Sequence, residues 1–350
     1  MLRSNWNQAV LDLVNYLGAE NVFVAILEGG SWDGSKAALQ ELDAELQQTR
    51  VPRSFIFDNV THKDATEQIP AVGEEGWIWT PRGRRELRRI PYLAKLRNRV
   101  MEEMRRASGA DSRPFTKVLW LNDVVFTTSD ALTLLSTNGG DYAAACSLDF
   151  AKPPAYYDTF ALRDTMGRKS LTQTWPYFYS SATRNAVVSN PAAVPVQSCW
   201  NGMVAMDAAP FTAPGRPLQF RSIADQLATL HLEGSECCLV HADNPLSASK
   251  GVWLNANVRV AYGAAAYAAV NLPPRHVWPP PTERVIGMWH NRLARLLGWI
   301  RASIEGWVVQ RRLQSWMAED PAAGGLNKEP GVHCLINEMQ VLVENGWKHL

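Results

Sequence analysis

Lys117-Val118-Leu119-Trp120-Leu121-Asn122-Asp123-Val124-Val125-Phe126 is the stretch on which the fold turns. After the lysine it is apolar with a β-branched residue, the pattern of a buried strand. Asn122 and Asp123 break the run, and three apolar residues follow. A carboxylate inside such a run is costly to bury unless it is paired or bound to a cation. One reading makes Asp123 a cap at the strand end. The other makes it part of a hard-cation site at the carboxyl end of a central strand, where open α/β sheets bind their ligands.

The chain before this stretch alternates elements. Residues 5–17 have apolar side chains at helical spacing, with Gly18 as a C-cap. Residues 21–27 read as a buried strand, 36–48 as a helix with Leu39, Leu42 and Leu46 on one face, and 54–59 as a second strand. Strand, loop, helix, strand is the start of a doubly wound α/β sheet. The loop Glu28-Gly29-Gly30-Ser31-Trp32-Asp33-Gly34-Ser35 lacks both GxGxxG and the Walker pattern, so neither dinucleotide nor P-loop chemistry is indicated. It is either an ordinary turn or a cradle for the base and ribose of a nucleotide, with Glu28, Gly29, Ser31 and Asp33 as the contacts. Residues 82–106 are rich in arginine and include an amphipathic helix over 90–104. A basic run is usually a solvated face. Placed directly before the central strand, Arg89 and Arg97 are instead candidates to meet a diphosphate, which suits the guanidinium fork.

After Phe126, residues 127–130 read as a helix N-terminus. Residues 141–150 read as a strand that ends near Asp149. Asp158 follows in a loop with several aromatics, the kind of position where function concentrates. Residues 197–206 form a polar, aromatic turn feeding a strand, and Trp200 there is either a sugar platform or a core residue. In Glu233-Gly234-Ser235-Glu236-Cys237-Cys238-Leu239-Val240-His241-Ala242-Asp243 a short strand is expected. His241 and Asp243, two apart, would then share a face and suit Mn²⁺ or Zn²⁺. Residues 251–262 read as a turn and a late strand. Proline clusters at 273–274 and 279–281 mark a break. Beyond it the spacing predicts a helix over 282–316, a loop over 321–331 and a last helix over 332–347, a helical appendage on the α/β domain.

Composition bounds the rest. The chain has 350 residues, 46% hydrophobic and 20% charged, enough for a sizeable core. A net charge of +1 gives no overall field toward nucleic acid or membrane. Fourteen Trp fit sugar binding as well as core filling. The five cysteines (146, 199, 237, 238 and 334) have no CxxC spacing, and an odd count leaves at least one thiol free or paired outside the chain. Cys237-Cys238 read as small apolar packing. Asn59-Val60-Thr61 is a glycosylation sequon. No run is long enough to span a bilayer, and Met1 opens no signal peptide.

Taken together, several blocks resemble one family. They are Leu121-Asn122-Asp123-Val124-Val125-Phe126, Cys199-Trp200-Asn201-Gly202, Ser235-Glu236-Cys237-Cys238-Leu239-Val240-His241-Ala242-Asp243 and Asn257-Val258-Arg259-Val260-Ala261-Tyr262. The strand and loop over 23–35 and the segment 89–98 also fit. The family is the fungal α-1,3-mannosyltransferase group, which holds the cryptococcal mannosyltransferase and the capsule-associated proteins (glycosyltransferase family 69). The resemblance runs over about residues 21–262.

It implies an α/β protein of the GT-A type, a Rossmann-like mixed sheet flanked by helices, with a C-terminal helical extension. The catalytic domain would span 1–272, with a nucleotide-sugar half at about 20–126 and an acceptor half at about 140–272. The segment 273–350 would be a tail packed upon it. It implies GDP-mannose as donor, a mannose-containing glycan as acceptor, Mn²⁺ or Mg²⁺, and retention at the anomeric carbon. It also implies a Golgi-lumen, type II membrane setting, with the anchor absent from this sequence. Asn122-Asp123 stand where GT-A enzymes place Asp-x-Asp, but Leu121 replaces the first acid. Asp123 is then the single motif ligand, with His241 and Asp243 as further metal ligands and Asn122 at the donor. Glu236 is the first candidate for acceptor-side base or stabiliser of the cationic sugar, followed by Asp149 and Asp158. Trp200, Asn201 and Asp207 are candidate sugar contacts. The competing expectations are a transferase with another sugar-nucleotide donor, and a catalytically silent carbohydrate-binding or scaffold relative, which the change at Leu121 keeps open.

Overall fold

A computed structural model describes residues 1–109, 114–273, 276–319 and 326–350. The proline pair at 273–274 and the loop read over 321–331 therefore lie partly outside the described residues.

A π-helical turn, Leu2–Trp6, leads into α1 (Asn7–Leu17). Then come β1 (Val24–Gly29), α2 (Ser35–Gln48), β2 (Arg53–Asp58), α3 (His62–Glu67) and the β3–β4 hairpin (Trp77–Trp79, Arg85–Leu87). α4 (Arg89–Ala107) precedes β5 (Lys117–Leu121), the strand read first from the sequence, and α5 (Thr128–Leu135) follows it. The second half has β6 (Ala144–Lys152), β7 (Ala155–Tyr156), α6 (Ser181–Ser189), β8 (Val194–Val196), β9 (Met203–Asp207) and α7 (Asp225–Ala228). It continues through β10 (Glu233–Gly234), α8 (Glu236–Asp243), α9 (Ser247–Lys250), β11 (Val252–Ala261) and α10 (Ala264–Val270). The C-terminal part holds α11 (Pro281–Met317) and the strands β12 (Leu335–Ile336), β13 (Gln340–Leu342) and β14 (Trp347–His349).

The centre is a mixed sheet in the order β5-β9-β6-β11-β8, with β7 on β6. Its strands are covered on both faces, and the period-2 alternation sorts their side chains. Val118 and Trp120 of β5 and Val204 and Met206 of β9 join one core, with Met101 of α4 and Val240 of α8. Leu119, Leu121, Met203 and Ala205 join the other, with Val10 of α1, Leu42 of α2 and Leu134 of α5. Helices on both faces of a mixed sheet make this an α/β protein. β1 and β2 pair in parallel around α2, as the sequence predicts, but they form a two-stranded sheet of their own.

Two expected elements differ. The segment expected as a strand around Cys237 and Cys238 is α8. Ser235 caps it, its hydroxyl accepting the Cys237 N–H at 3.2 Å, and Glu236 opens the first turn. Residues 236–241 are all buried, Cys237 and Val240 in one core and Cys238 and Leu239 in another. A helix buried all round shows no amphipathic period, so its sequence resembles a buried strand. The last helix expected over 332–347 is instead a 3₁₀ turn followed by β12–β14. β-branched Val332, Ile336, Val341 and Val343 favour extended backbone here. β12 pairs with β10, and Cys334 is disulfide-bonded to Cys238, so the C-terminal segment is woven into the body.

The basic run also resolves. Arg88 is fully buried between Glu233 at 2.6 Å and Asp225 at 2.7 Å. Breaking one partner of such a buried pair leaves an uncompensated charge, which fixes how the β4–α4 junction meets β10.

Candidate active site at the carboxyl edge of the sheet

Sheet direction decides which residues can meet. β5 and β6 are both antiparallel to β9, and β11 is parallel to β6. The carboxyl ends of β5, β6 and β11 therefore share one edge with the turn that enters β9. Asn122-Asp123, Asp149, Tyr262 and Asn201-Gly202 gather there.

The Asn122 N–H donates to Gly202 O at 2.9 Å, and its carbonyl accepts Trp6 Nε1 at 3.0 Å. Its side-chain oxygen accepts Trp200 Nε1 at 3.2 Å. The N-terminal turn that supplies Trp6 also flanks the loop after β1: the Arg3 guanidinium lies 3.4 Å from where a Cβ on Gly34 would stand. Asp123 is exposed, yet enough protein surrounds it to raise its carboxyl pKa by desolvation. No cation among the described residues contributes to that shift.

Asp149 is fully buried near the end of β6. Its Oδ1 accepts Asn201 Nδ2 at 3.0 Å and the Asp158 N–H at 3.1 Å, and its Oδ2 accepts the Tyr262 hydroxyl at 3.1 Å. Burial first, and the nearby charge of Asp158 second, push its pKa up to about 7. Asp158 is partly exposed, and its Oδ1 accepts the Phe160 N–H at 2.9 Å. The structure thus joins two of the expected acids into one pair. Tyr262 ends the late strand, and its ring packs 5.0 Å from the half-exposed Tyr157. Neither tyrosine stood out as a site residue in the sequence. A polar aromatic at the carboxyl end of a strand was the available signal.

Glu236 is buried and paired with Arg97 at 3.0 Å. Arg97 lies 4.4 Å over the Trp200 ring, and Trp120 and Phe220 complete an aromatic wall around it. Its charge is matched inside the protein, so it is not a free phosphate ligand, and Glu236 is not a free base. Arg89 is far from this edge in its contacts: it donates to Gln340 Oε1 at 2.7 Å and stacks 3.9 Å over Trp347.

The proposed metal set does not converge. His241 is buried, with Nε2 at 2.7 Å from Cys199 O and Nδ1 without a partner; burial lowers its pKa to about 4, and it belongs to no group of three candidate ligands among the described residues. Asp243 is clamped by Arg221 at 2.5 Å and 3.0 Å. The helical turn over 241–243 cannot place two side chains on one face as a strand would. Among the described residues the one group of three candidate ligands is Cys238, His333 and Cys334, and its two sulfurs are joined in a disulfide.

The sugar contacts expected at Trp200, Asn201 and Asp207 are also revised. Trp200 is buried and orients Asn122. Asn201, fully buried at φ 48°, orients Asp149. Asp207 leaves β9 at the opposite edge of the sheet, beside Lys117 and 2.8 Å from Lys250. In the loop after β1, Glu28 is buried and its Oε1 accepts the Ser31 N–H at 2.5 Å. Gly29 pairs with Asp58 of β2, and Asp33 accepts the Ser35 N–H at 2.9 Å at the start of α2. These four residues shape a strand-to-helix turn whose outer face, including Ser31 and Trp32, is exposed.

Two disulfides hold the frame. Cys146–Cys199 ties β6 to the turn before β9, and Cys238–Cys334 ties α8 to the C-terminal segment. Cys237 is free and buried. A cavity of about 630 Å³ lies between the β3–β4 hairpin and α7, with none of the carboxyl-edge residues in its wall.

No curated protein and no solved structure matches the chain. A family model described as Cryptococcal mannosyltransferase 1 matches residues 1–243. That match takes in β5 with Asn122-Asp123, the Asp149–Asp158 pair and the turn at Asn201, and over more than half its length the chain belongs to the cryptococcal mannosyltransferase 1 family.

Proposed function

We propose that this protein is a GT-A-type, metal-dependent, retaining glycosyltransferase that moves mannose from GDP-mannose to a mannose-containing glycan in α-1,3 linkage. The observation that carries this is the exposed Asp123 carboxylate at the end of β5, set beside a buried acid–amide network in a chain of a mannosyltransferase family.

The residues present fit a divalent cation in one way. Mg²⁺ or Mn²⁺ can be held by one protein carboxylate with diphosphate oxygens and water. Asp123, open to solvent and with no cation among the described residues shifting its pKa, is suited to that role. Asp243 is held by Arg221, and His241 belongs to no group of three candidate ligands among the described residues. When bound, the cation would neutralise charge building on the leaving diphosphate.

The loop over 28–35 would hold the nucleoside, with the exposed Trp32 ring as a stacking platform. Asp149, poised near neutrality, is the group that can take or give a proton. Asp158, the more exposed of the pair, is the carboxylate available to a cationic sugar. Tyr157 offers an open ring to the acceptor. The two disulfides and the exposed Asn59 sequon suit an oxidising, secretory compartment such as the Golgi lumen.

Calorimetric titration of GDP, with Mn²⁺ and with EDTA, into wild type and Asp123→Ala tests the reading. Metal-dependent binding that the variant loses supports it. Binding of UDP in place of GDP overturns mannose as the donor. Failure to bind either nucleotide overturns the transferase in favour of a silent relative.

A further inference from the structure

α11 has two apolar faces. One is used: Gly287 packs against the Trp175 carbonyl, and Val309, Leu313 and Trp316 are buried in the core beside α7 and β12. The opposite face is bare. Ile286, Trp289, Leu293, Leu296, Ile300 and Trp307 are each between 53% and 70% exposed. At about 100° per residue these six fall within an arc of roughly 80°, along a stripe about 32 Å long. Single exposed apolar residues need no explanation, but a contiguous stripe marks a contact surface.

The charges flanking the stripe say what covers it. Of the six arginines of α11, Arg284 and Arg312 turn to backbone carbonyls at Pro279 and His231, while Arg292 and Arg311 flank the stripe, and no acid occurs from Arg284 through Ile304. The next acid, Glu305, is already neutralised by Lys169 at 2.7 Å. Arg292 sits 5.0 Å over the Trp289 ring and Arg311 sits 5.3 Å over the Trp307 ring, near the two ends of the stripe. Tryptophan beside arginine, along an apolar helix face, is the composition that settles at the headgroup level of a bilayer. A second copy of the chain fits poorly. Pairing two such helices would bring Arg292 and Arg311 of each to a stripe that carries no acid between Ile286 and Ile304. No helix among the described residues is long and apolar enough to cross a membrane, so the stripe would lie along the surface.

We propose that α11 docks the protein in the plane of a bilayer surface through this stripe, with apolar contact leading and anionic headgroups adding to it. Its inner face is fixed to the body, so docking presents the whole domain to the membrane in one orientation.

Flotation of the full chain with phosphatidylcholine vesicles, with and without phosphatidylserine, tests this. Wild type should float with the anionic vesicles and more weakly with neutral ones. The double variant Leu293→Glu with Ile300→Glu should lose ~10-fold or more of that binding, and Arg292→Glu part of it. Both should keep the wild-type unfolding midpoint, because these side chains are exposed. A folded wild type that stays behind when anionic vesicles float would overturn the proposal. So would a lipid-free dimer that Ile300→Glu splits into monomers, which would make the stripe a self-interface.

Discussion

Asn201 adopts φ 48° and points its amide Nδ2 at Asp149 Oδ1, 3.0 Å away, so the residue that turns the chain into β9 also holds the buried acid of β6. Asn tolerates this left-handed conformation better than most residues, which lets one position serve both needs. The acid, the turn and the metal-site candidate at Asn122-Asp123 are therefore mechanically linked through Gly202, whose carbonyl accepts the Asn122 N–H.

The Asp149 carboxyl gives stability a definite pH dependence. Its pKa in the fold is about 7, above its ordinary value of 3.8. The folded state keeps a proton that the unfolded chain releases, so this contribution is full below about pH 4 and is lost as pH rises through 7. Urea unfolding across that window should show stability falling by up to about 1.4 kcal/mol per pH unit from this group. Asp149→Asn should flatten the slope. An unchanged slope would place the titration on another residue.

Asp123 and His241 should separate cleanly. Asp123→Ala, at an exposed position, should change stability by no more than about 0.5 kcal/mol and abolish metal-dependent nucleotide binding. His241→Ala removes a buried ring and leaves Cys199 O without its partner, and should cost about 2–4 kcal/mol. Nucleotide affinity measured on the folded fraction of that variant should stay at the wild-type value. A loss of metal affinity without a loss of stability would restore His241 as a ligand.

Gly202→Ala should be among the most damaging single-methyl changes. A Cβ there would stand 2.8 Å from Val260 Cγ2, 3.0 Å from Asp149 Cβ and 3.2 Å from Val124 Cγ1, at a backbone φ of 83°. Three strands meet around that point, so no flexible side-chain end can yield. A cost of about 2 kcal/mol or more is expected, read as a lowered denaturation midpoint with an unchanged m-value.

The Cys146–Cys199 disulfide closes a loop of 53 residues between β6 and the Trp200-Asn201 turn. Replacing both cysteines with serine should cost ~4 kcal/mol. Folded protein that remains should bind nucleotide less tightly, because Trp200 orients Asn122 from the same turn. Equal affinity in the disulfide-free variant would show that strand pairing alone holds the turn.

Much of the frame was legible in the chain. β5 and the Asn122-Asp123 break, the β1–α2–β2 unit and helix α4 each stand close to where hydrophobic period and polar punctuation put them. Each has one face in the core, and a one-sided element writes its period into its sequence. α8 does not, because both its sides are buried, and β12–β14 are too short for a period to register.

The sequence alone, then, determined the α/β class, the family and the polar break at the end of β5, because these rest on local pattern. Only the tertiary structure decided which polar residues meet. Asp207 looked as available as Asp149, yet strand direction sends it to the opposite edge of the sheet. Trp200 could be read as a sugar platform or as core, and packing against Trp120 of β5, Arg97 of α4 and Phe220 makes it core. His241 and Asp243 were expected on one face of a strand, but the segment is α8, which parts the two side chains and sets His241 Nε2 on Cys199 O, 42 positions away. Sheet order and strand direction are set by contacts between distant segments, and no local period records them.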